Sequence, residues 1–450
     1  MERDENRVRG HGKTRVYCVR PPELSEAGKS ILNDGQTFAQ KILAKKAGYQ
    51  AVQPEQIVEV KPDVVLSHDN TAAIIKFFEQ IGAAKVFDPN MLAVVLDHAA
   101  PPPSTQHAEN HRRTRAFVYQ QGLQHFYDVG RGVCHQVLVE EGLALPGEVV
   151  LGADSHTTHA GVMGAFGAGL GRSEIASIWA VGRVWLMVPK SLKIVVHGQF
   201  SAHVHSKDLA LKVIGDLGAD GALYRSVEWH GETIQRLSLD QRAVLPNIAA
   251  EMGAKNSYIP PDDTVFEYLK DRAKRPFQPL YPDPDAPYDS VVEYEAESIE
   301  PMVACPHAVD HVKPLAELKG TCIDQAFLGT CTNGRLEDIA IAAEILRGRR
   351  VHPRVRMIVV PASSQILRHA LRAGYVDTLV GAGAVLGSPS CGPCTGNAPG
   401  VPARGDVVVS TANRNFKGRM GTRESDIYLA APAVAAASAV AGALAHPVDL

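Results

Sequence analysis

Three thiols in this chain have the spacing of a metal site that stops one ligand short. Cys391 and Cys394 bracket Gly392-Pro393, and Cys331 stands alone upstream within Gly329-Thr330-Cys331-Thr332-Asn333. Cysteine thiolates hold zinc or iron–sulfur clusters, and a site that leaves one metal position unfilled is a reactive one. The Cys-x-x-Cys pair taken alone fits zinc, a redox dithiol or coincidence. A cluster on three thiolates would leave one iron open as a Lewis acid for a substrate hydroxyl and carboxylate, with no redox change required.

Removing hydroxide from a carbon beside a carboxylate also needs an acid for the leaving oxygen and a base for the adjacent C–H. Histidines paired with carboxylates supply such acids, because the carboxylate orients the imidazolium and raises its proton affinity. The chain offers several. His68, Asp69, Asn70 and Thr71 follow the run Val64-Val65-Leu66; Asp97-His98 follows Val94-Val95-Leu96; Asp154-Ser155-His156 follows Val149-Val150-Leu151; and the turn from Tyr127 to Gly132 delivers Cys134 and His135. One such histidine is more often a satisfied core or capping residue, but four in the same position relative to a strand change that balance. A loop of three cations, Asn413-Arg414-Asn415-Phe416-Lys417-Gly418-Arg419, would grip a di- or tricarboxylate through paired hydrogen bonds, although standing alone it reads as a solvated turn.

The apolar runs that precede these residues read as buried strands of open α/β sheets, where ligands gather beyond the carboxyl ends. Ala326-Phe327-Leu328 leads to Cys331, and Ala384-Val385-Leu386 precedes Cys391 and Cys394, so the thiols also lie just past strand ends. At 450 residues the chain exceeds one ordinary core. Residues 1–34, broken by Pro21-Pro22, read as an extension. Residues 35–189 form a first α/β subdomain, opening on a helix around Phe38-Ala39-Ile42-Leu43 that stops near Gly48 and carrying the acid–histidine pairs. Residues 190–318 form a second, with Glu228-Trp229-His230-Gly231, a helical pattern from Leu245 to Met252, and a Pro-rich stretch from Pro276 to Pro287 that reads as a linker. Residues 319–450 form a third, with the thiols. No internal repeat stands out.

A composition 45% hydrophobic and 21% charged supports a large interior, and a formal charge of −3 argues against general nucleic-acid binding. The charged start Met1-Glu2-Arg3-Asp4-Glu5-Asn6 shows neither a signal nor a transit peptide, and seven cysteines in so long a chain make no disulfide framework, which points to a reducing cytoplasm. The Ala-rich stretch from Tyr428 to Ala445 contains Pro432, Ser438 and Gly442, and reads as a packed terminal helix rather than a membrane span.

Taken together, Ser67-His68-Asp69-Asn70-Thr71, Leu96-Asp97-His98, Gly152-Ala153-Asp154-Ser155-His156-Thr157, Cys331-Thr332-Asn333, Cys391-Gly392-Pro393-Cys394 and the 413–419 loop resemble the aconitase superfamily, in the branch of isopropylmalate dehydratases and homoaconitases whose large subunit is a separate chain. The similarity runs from about Gly35 to about Ala445. It implies three α/β/α subdomains packed around a cluster site, without the swivelling domain that carries a serine base and a substrate arginine in single-chain relatives, and hence a small-subunit partner. It implies one [4Fe-4S] cluster on Cys331, Cys391 and Cys394, and dehydration of a 2-hydroxy di- or tricarboxylate followed by rehydration. By resemblance, Asp97 and His98 assist the leaving hydroxyl, and His135 pairs with Asp154 and His156 with Glu228. Asn70, Thr71, Ser155, Asn413, Arg414 and Arg419 surround substrate and cluster. Thr158-His159 stands where the family often has Cys-Thr, with no cluster ligand lost. Against this stand a non-catalytic zinc or thiol-redox protein, and an RNA-binding cluster-free form that the acidic balance disfavours.

Overall fold

The computed structural model describes residues 35–450 and the backbone of one strand, Arg15–Cys18. The remainder of the extension at 1–34 lies outside the described residues. Three sheets organise the chain. In the first, Val64–Ser67 is central, Leu92–Val95 and His125–Tyr127 lie to one side, and Val149–Gly152 and Phe166–Gly169 lie to the other, all parallel. The three Val- and Leu-rich strands are buried throughout, as strands covered on both faces require. Helices Thr71–Ile81 and Arg172–Val181 pack together on the first sheet, where Phe78, Phe117 and Trp179 meet ring to ring.

The second sheet repeats the order. Ser191–His197 is central, Ser226–His230 and Asn256–Tyr258 are on one side and Ser290–Glu295 on the other, with Arg15–Cys18 added antiparallel at that edge. The third sheet repeats it again. Gln325–Leu328 is central, Arg356–Val359 and Val385–Leu386 are on one side, and Val407–Ser410 and Asp426–Leu429 on the other. Each sheet therefore reverses its winding beside its central strand, and each reversal opens a crevice at the strand carboxyl ends. The repetition is invisible as residue identity because strand order depends on hydrophobic patterning, which many sequences satisfy.

Three sequence expectations are corrected. The third sheet takes up the chain from Met302–Ala304 and Val312–Pro314, which extend its edge antiparallel, and not from residue 319. The Pro-rich stretch from Pro276 to Pro287 is not a linker between the second and third units. It leads into Ser290–Glu295 of the second sheet, held there by Tyr258, which donates to the Leu280 carbonyl at 2.8 Å, and it straps the first unit on its way: the Gln36 amide donates to Asp283 at 2.8 Å, Lys41 Nζ to the Tyr281 carbonyl at 2.9 Å, and Arg275 pairs with Glu148. A fixed, extended proline path lets such a strap run without regular secondary structure. The segment from Tyr428 to Ala445 is not one helix: Asp426–Leu429 is a strand, and Pro432–Ala441 is a helix with proline in its first turn and Gly442 in the left-handed conformation at its end. Its alanines let it lie against helix Leu336–Leu346 over the third sheet. Among the described residues no helix is long and apolar enough to cross a membrane.

Candidate active site

The carboxyl ends of the first and third sheets open onto one cavity of about 140 Å³, lined by His68, His98, His135, Asp154 and His156 from one and Cys331, Cys391, Cys394, Asn413, Arg414 and Arg419 from the other. The two halves are stitched together directly, since the Cys391 amide donates to the Asp97 carbonyl at 3.1 Å.

On the histidine side, the parallel strands deliver three loops to the crevice, and Asp69 holds two of them in register. Its carboxylate accepts the amides of Asp97, His98 and Ala99 and the Nε2 proton of His111, and although burial pushes its pKa up, the His111 bond and the nearby histidines hold it well below the usual carboxylate range. His98 Nδ1 donates to Asp97 Oδ1 at 2.7 Å, and the other Asp97 oxygen accepts the Cys134 amide at 2.7 Å. Burial opposes a charge on His98, but Asp97, the Cys391 sulfur and Asp154 together raise its pKa well above the ordinary value. His68 stacks on His98 with centroids 4.0 Å apart, and burial followed by repulsion from His98 lowers it to about 4. The two stacked rings are thus biased in opposite directions, His98 toward the imidazolium and His68 toward the neutral imidazole.

Asp154 is the hub. His135 Nε2 donates to its Oδ1 at 2.8 Å, and His98 Nε2 and His68 Nε2 lie 3.5 and 3.7 Å from its Oδ2. Burial pushes Asp154 up, yet the bonds from His135, His156 and His98 hold it well below the carboxylate range. The ligand-type atoms of His68, Asp69, Asp97 and His98 cluster closely, but both oxygens of Asp69 and of Asp97 are already taken by amides and imidazoles, so this set is a hydrogen-bonded network and not a metal cage.

On the thiol side, Cys331, Cys391 and Cys394 are buried and free of disulfides. Burial pushes Cys331 up to about 11 and Cys391 well above its ordinary value, so buried thiolates here require added positive charge, which a metal centre supplies. N–H donors already face the sulfurs: Asn413 Nδ2 lies 3.4 Å from Cys331 Sγ and Arg419 Nη2 lies 3.3 Å from Cys394 Sγ. Sulfur atoms at one cavity with N–H groups aimed at them fit an iron–sulfur cluster.

The expected pairing of His156 with Glu228 is wrong. His156 Nε2 meets Glu251 Oε1 at 2.6 Å, and Glu251 also accepts from Arg414 Nε at 2.7 Å, while Arg414 Nη2 donates to Ser155 Oγ at 2.8 Å. Burial pushes Glu251 up, and His156 and Arg414 outweigh it. Glu228 sits mid-strand in the second sheet, where it accepts the Phe38 amide and the Tyr288 hydroxyl, the latter at 2.8 Å. Asn70 and Thr71, expected at the substrate, lie off the cavity lining: Asn70 Nδ2 donates to the Ala153 carbonyl and contacts His68 Nε2, and Thr71 Oγ1 donates to the His68 carbonyl. They shape the loop that presents His68. Two residues escaped the sequence reading, Glu251 and Asn247, the latter accepting from Thr332 Oγ1 and Asn413 Nδ2. Their signal is a polar pair four residues apart, hence on one face, in an otherwise apolar helical stretch.

The aconitase family (aconitate hydratase) model matches residues 40–320 and 309–442. The chain is 46% identical over 414 residues to a 3-isopropylmalate dehydratase large subunit of Methanopyrus kandleri, covering 92% of this chain and 99% of that one. A 3-isopropylmalate dehydratase large subunit of Aquifex aeolicus is 46% identical over 419 residues, covering 92% and 97%. A probable methanogen homoaconitase large subunit of Methanosarcina mazei is 47% identical over 386 residues, covering 86% and 98%. The chain belongs to the aconitase family and is a hydro-lyase.

Proposed function

We propose that this aconitase-family chain is the catalytic large subunit of a 3-isopropylmalate dehydratase, with one [4Fe-4S] cluster on Cys331, Cys391 and Cys394 and a small subunit completing the site from another polypeptide. The likeness to the M. kandleri and A. aeolicus 3-isopropylmalate dehydratase large subunits supports the substrate and the subunit arrangement. The observation that carries the chemistry is the meeting of three free thiols and the Asp97–His98 pair at one cavity, with Cys391 Sγ 3.9 Å from His98 Nδ1. The three α/β units, each built on one sheet, are on this reading the domains of the large subunit. The free thiols suit a reducing compartment, and we assign the cytoplasm.

When bound, the cluster would supply a Lewis acid for the substrate hydroxyl and carboxylate. The rest is the work of side chains. His98 keeps Nδ1–H on Asp97 and presents a second proton on Nε2, which it gives to the departing hydroxyl and recovers in rehydration. Asp154 holds His135, His156 and His98 around one carboxylate, so that the imidazoles cannot rotate away from the substrate. Arg414, fixed by Glu251 and Ser155, and Arg419 offer guanidinium forks to the substrate carboxylates. Asn413 orients Cys331 rather than standing free for substrate.

A second reading, homoaconitase, is supported by the M. mazei relative. Assaying the anaerobically reconstituted chain with its small subunit on 3-isopropylmalate and on homoaconitate separates the two. Turnover of isopropylmalate is expected; turnover of homoaconitate alone would replace the first reading by the second. A reconstituted chain without visible iron–sulfur absorption would leave only a zinc or thiol protein.

A further inference from the structure

Helix Ser206–Leu217 of the second unit begins with three wholly buried polar residues. Two are matched in kind. Ser206 donates to Gln241 Oε1 at 2.8 Å, and the Asp208 carboxylate accepts the Met302 and His205 amides, each at 2.9 Å. Lys207 is not. Its Nζ donates to the carbonyls of Thr411 at 3.0 Å and Ala412 at 2.7 Å, and among the described residues no carboxylate forms an ion pair with it. Carbonyls satisfy the hydrogen bonds of a buried ammonium but leave its charge uncompensated, an arrangement that is costly without a nearby anion.

The two carbonyls belong to the residues immediately before Asn413, whose Nδ2 faces Cys331 Sγ, and the same loop continues to Arg419, whose Nη2 faces Cys394 Sγ. Lys207 thus sits one residue behind the loop that grips two of the thiols, outside the cavity lining and out of reach of substrate. We infer that Lys207 is the interior counter-cation of the thiolate-held cluster, a positioning residue that fixes the Thr411-Ala412-Asn413 loop and offsets the negative charge the three thiolates bring into the protein. The inference rests on the cluster reading. Burial draws the lysine down to about 7, and Cys331, then Asp338, Cys394 and Glu251, oppose it, so two of the cluster thiols are among the anionic groups that favour its charge. A fixed cation beside the cluster stabilises its reduced form and slows its disassembly.

The test uses the full chain, reconstituted anaerobically, as wild type, Lys207→Gln and Lys207→Met. Glutamine keeps a hydrogen-bond donor without the charge; methionine removes both. Three quantities are read: decay of iron–sulfur absorption under a chelator, the cluster's midpoint potential by EPR of the reduced state, and the melting temperature of the metal-free protein. Both variants are expected to lose the cluster about tenfold faster, the scale of one unit-charge interaction in a protein interior, and to show a more negative potential. The metal-free Lys207→Gln chain is expected to melt no lower than wild type, because a buried charge is removed while a donor is kept, whereas Lys207→Met leaves the Thr411 and Ala412 carbonyls without that donor and melts lower. If the methionine variant does not fold, the glutamine variant carries all three readouts. Wild-type lifetime and potential in Lys207→Gln would overturn the inference while leaving the cluster reading intact. A wild-type chain that takes up no iron would overturn both.

Discussion

The first and third sheets share a strand order, yet the strand ends of one carry His68, Asp97-His98, His135 and Asp154, and those of the other carry Cys331, Cys391-Cys394 and Asn413. Both crevices open at the point where the winding reverses, and they face one another across a single cavity. The second sheet has the same order again, but its contribution to the site comes from Asn247 and Glu251 on the helical segment between two of its strands, and not from its strand ends. Topology therefore supplies a position three times over, and the residues placed in the loops decide which chemistry occupies it. The histidine half is pre-organised by hydrogen bonds the protein makes by itself. The thiol half has buried sulfurs and a buried lysine, and on the proposed reading a cluster would complete it.

Breaking each half in turn sharpens that contrast. Cys391→Ser is expected to have the largest effect, abolishing visible iron–sulfur absorption and with it all turnover, while circular dichroism stays that of the wild type. His98→Ala is expected to keep the absorption and to lose roughly 10²–10⁴-fold in kcat, the usual value of a positioned general acid. Retained activity there would show that the proton comes from elsewhere. Glu251→Gln weakens the anchor shared by His156 and Arg414 and is expected to cost roughly 10–100-fold in kcat/KM with the cluster retained, a loss of the size seen when a supporting hydrogen-bond partner is removed. Glu228→Gln is expected to leave kcat/KM within about threefold of wild type and to cost about 1 kcal/mol of stability in denaturant unfolding, the usual scale for a weakened buried hydrogen bond. Equal kinetic losses in the two glutamate variants would erase the distinction between a residue that anchors the cavity-lining His156 and Arg414 and one inside a sheet.

Most of the cavity lining is legible because its residues follow apolar strand runs, so that the motif and its structural position announce each other, as with Val94-Val95-Leu96 before Asp97-His98. What escaped lies where that coupling fails. Resemblance alone pairs Glu228 with His156, but the Glu228 side chain joins Phe38 and Tyr288 inside the protein. Glu251 follows no strand run and becomes a partner of His156 only through packing of the first unit against the second. Resemblance likewise places Asn70 and Thr71 around the substrate, although their side chains serve the backbone of the loop that carries His68. The Pro-rich strap misled for a related reason: composition reports local stiffness, and only tertiary contacts such as those of Asp283 and Leu280 distinguish a strap from a linker.

The central claim is that the two halves act together on one substrate. It is tested most directly by following alkene formation from 3-isopropylmalate by the reconstituted chain with its small subunit, comparing wild type with Cys391→Ser and His98→Ala. The account expects full turnover in the wild type, turnover lowered roughly 10²–10⁴-fold in His98→Ala with iron–sulfur absorption present, and none in Cys391→Ser with absorption absent. Turnover by Cys391→Ser without a cluster would contradict it.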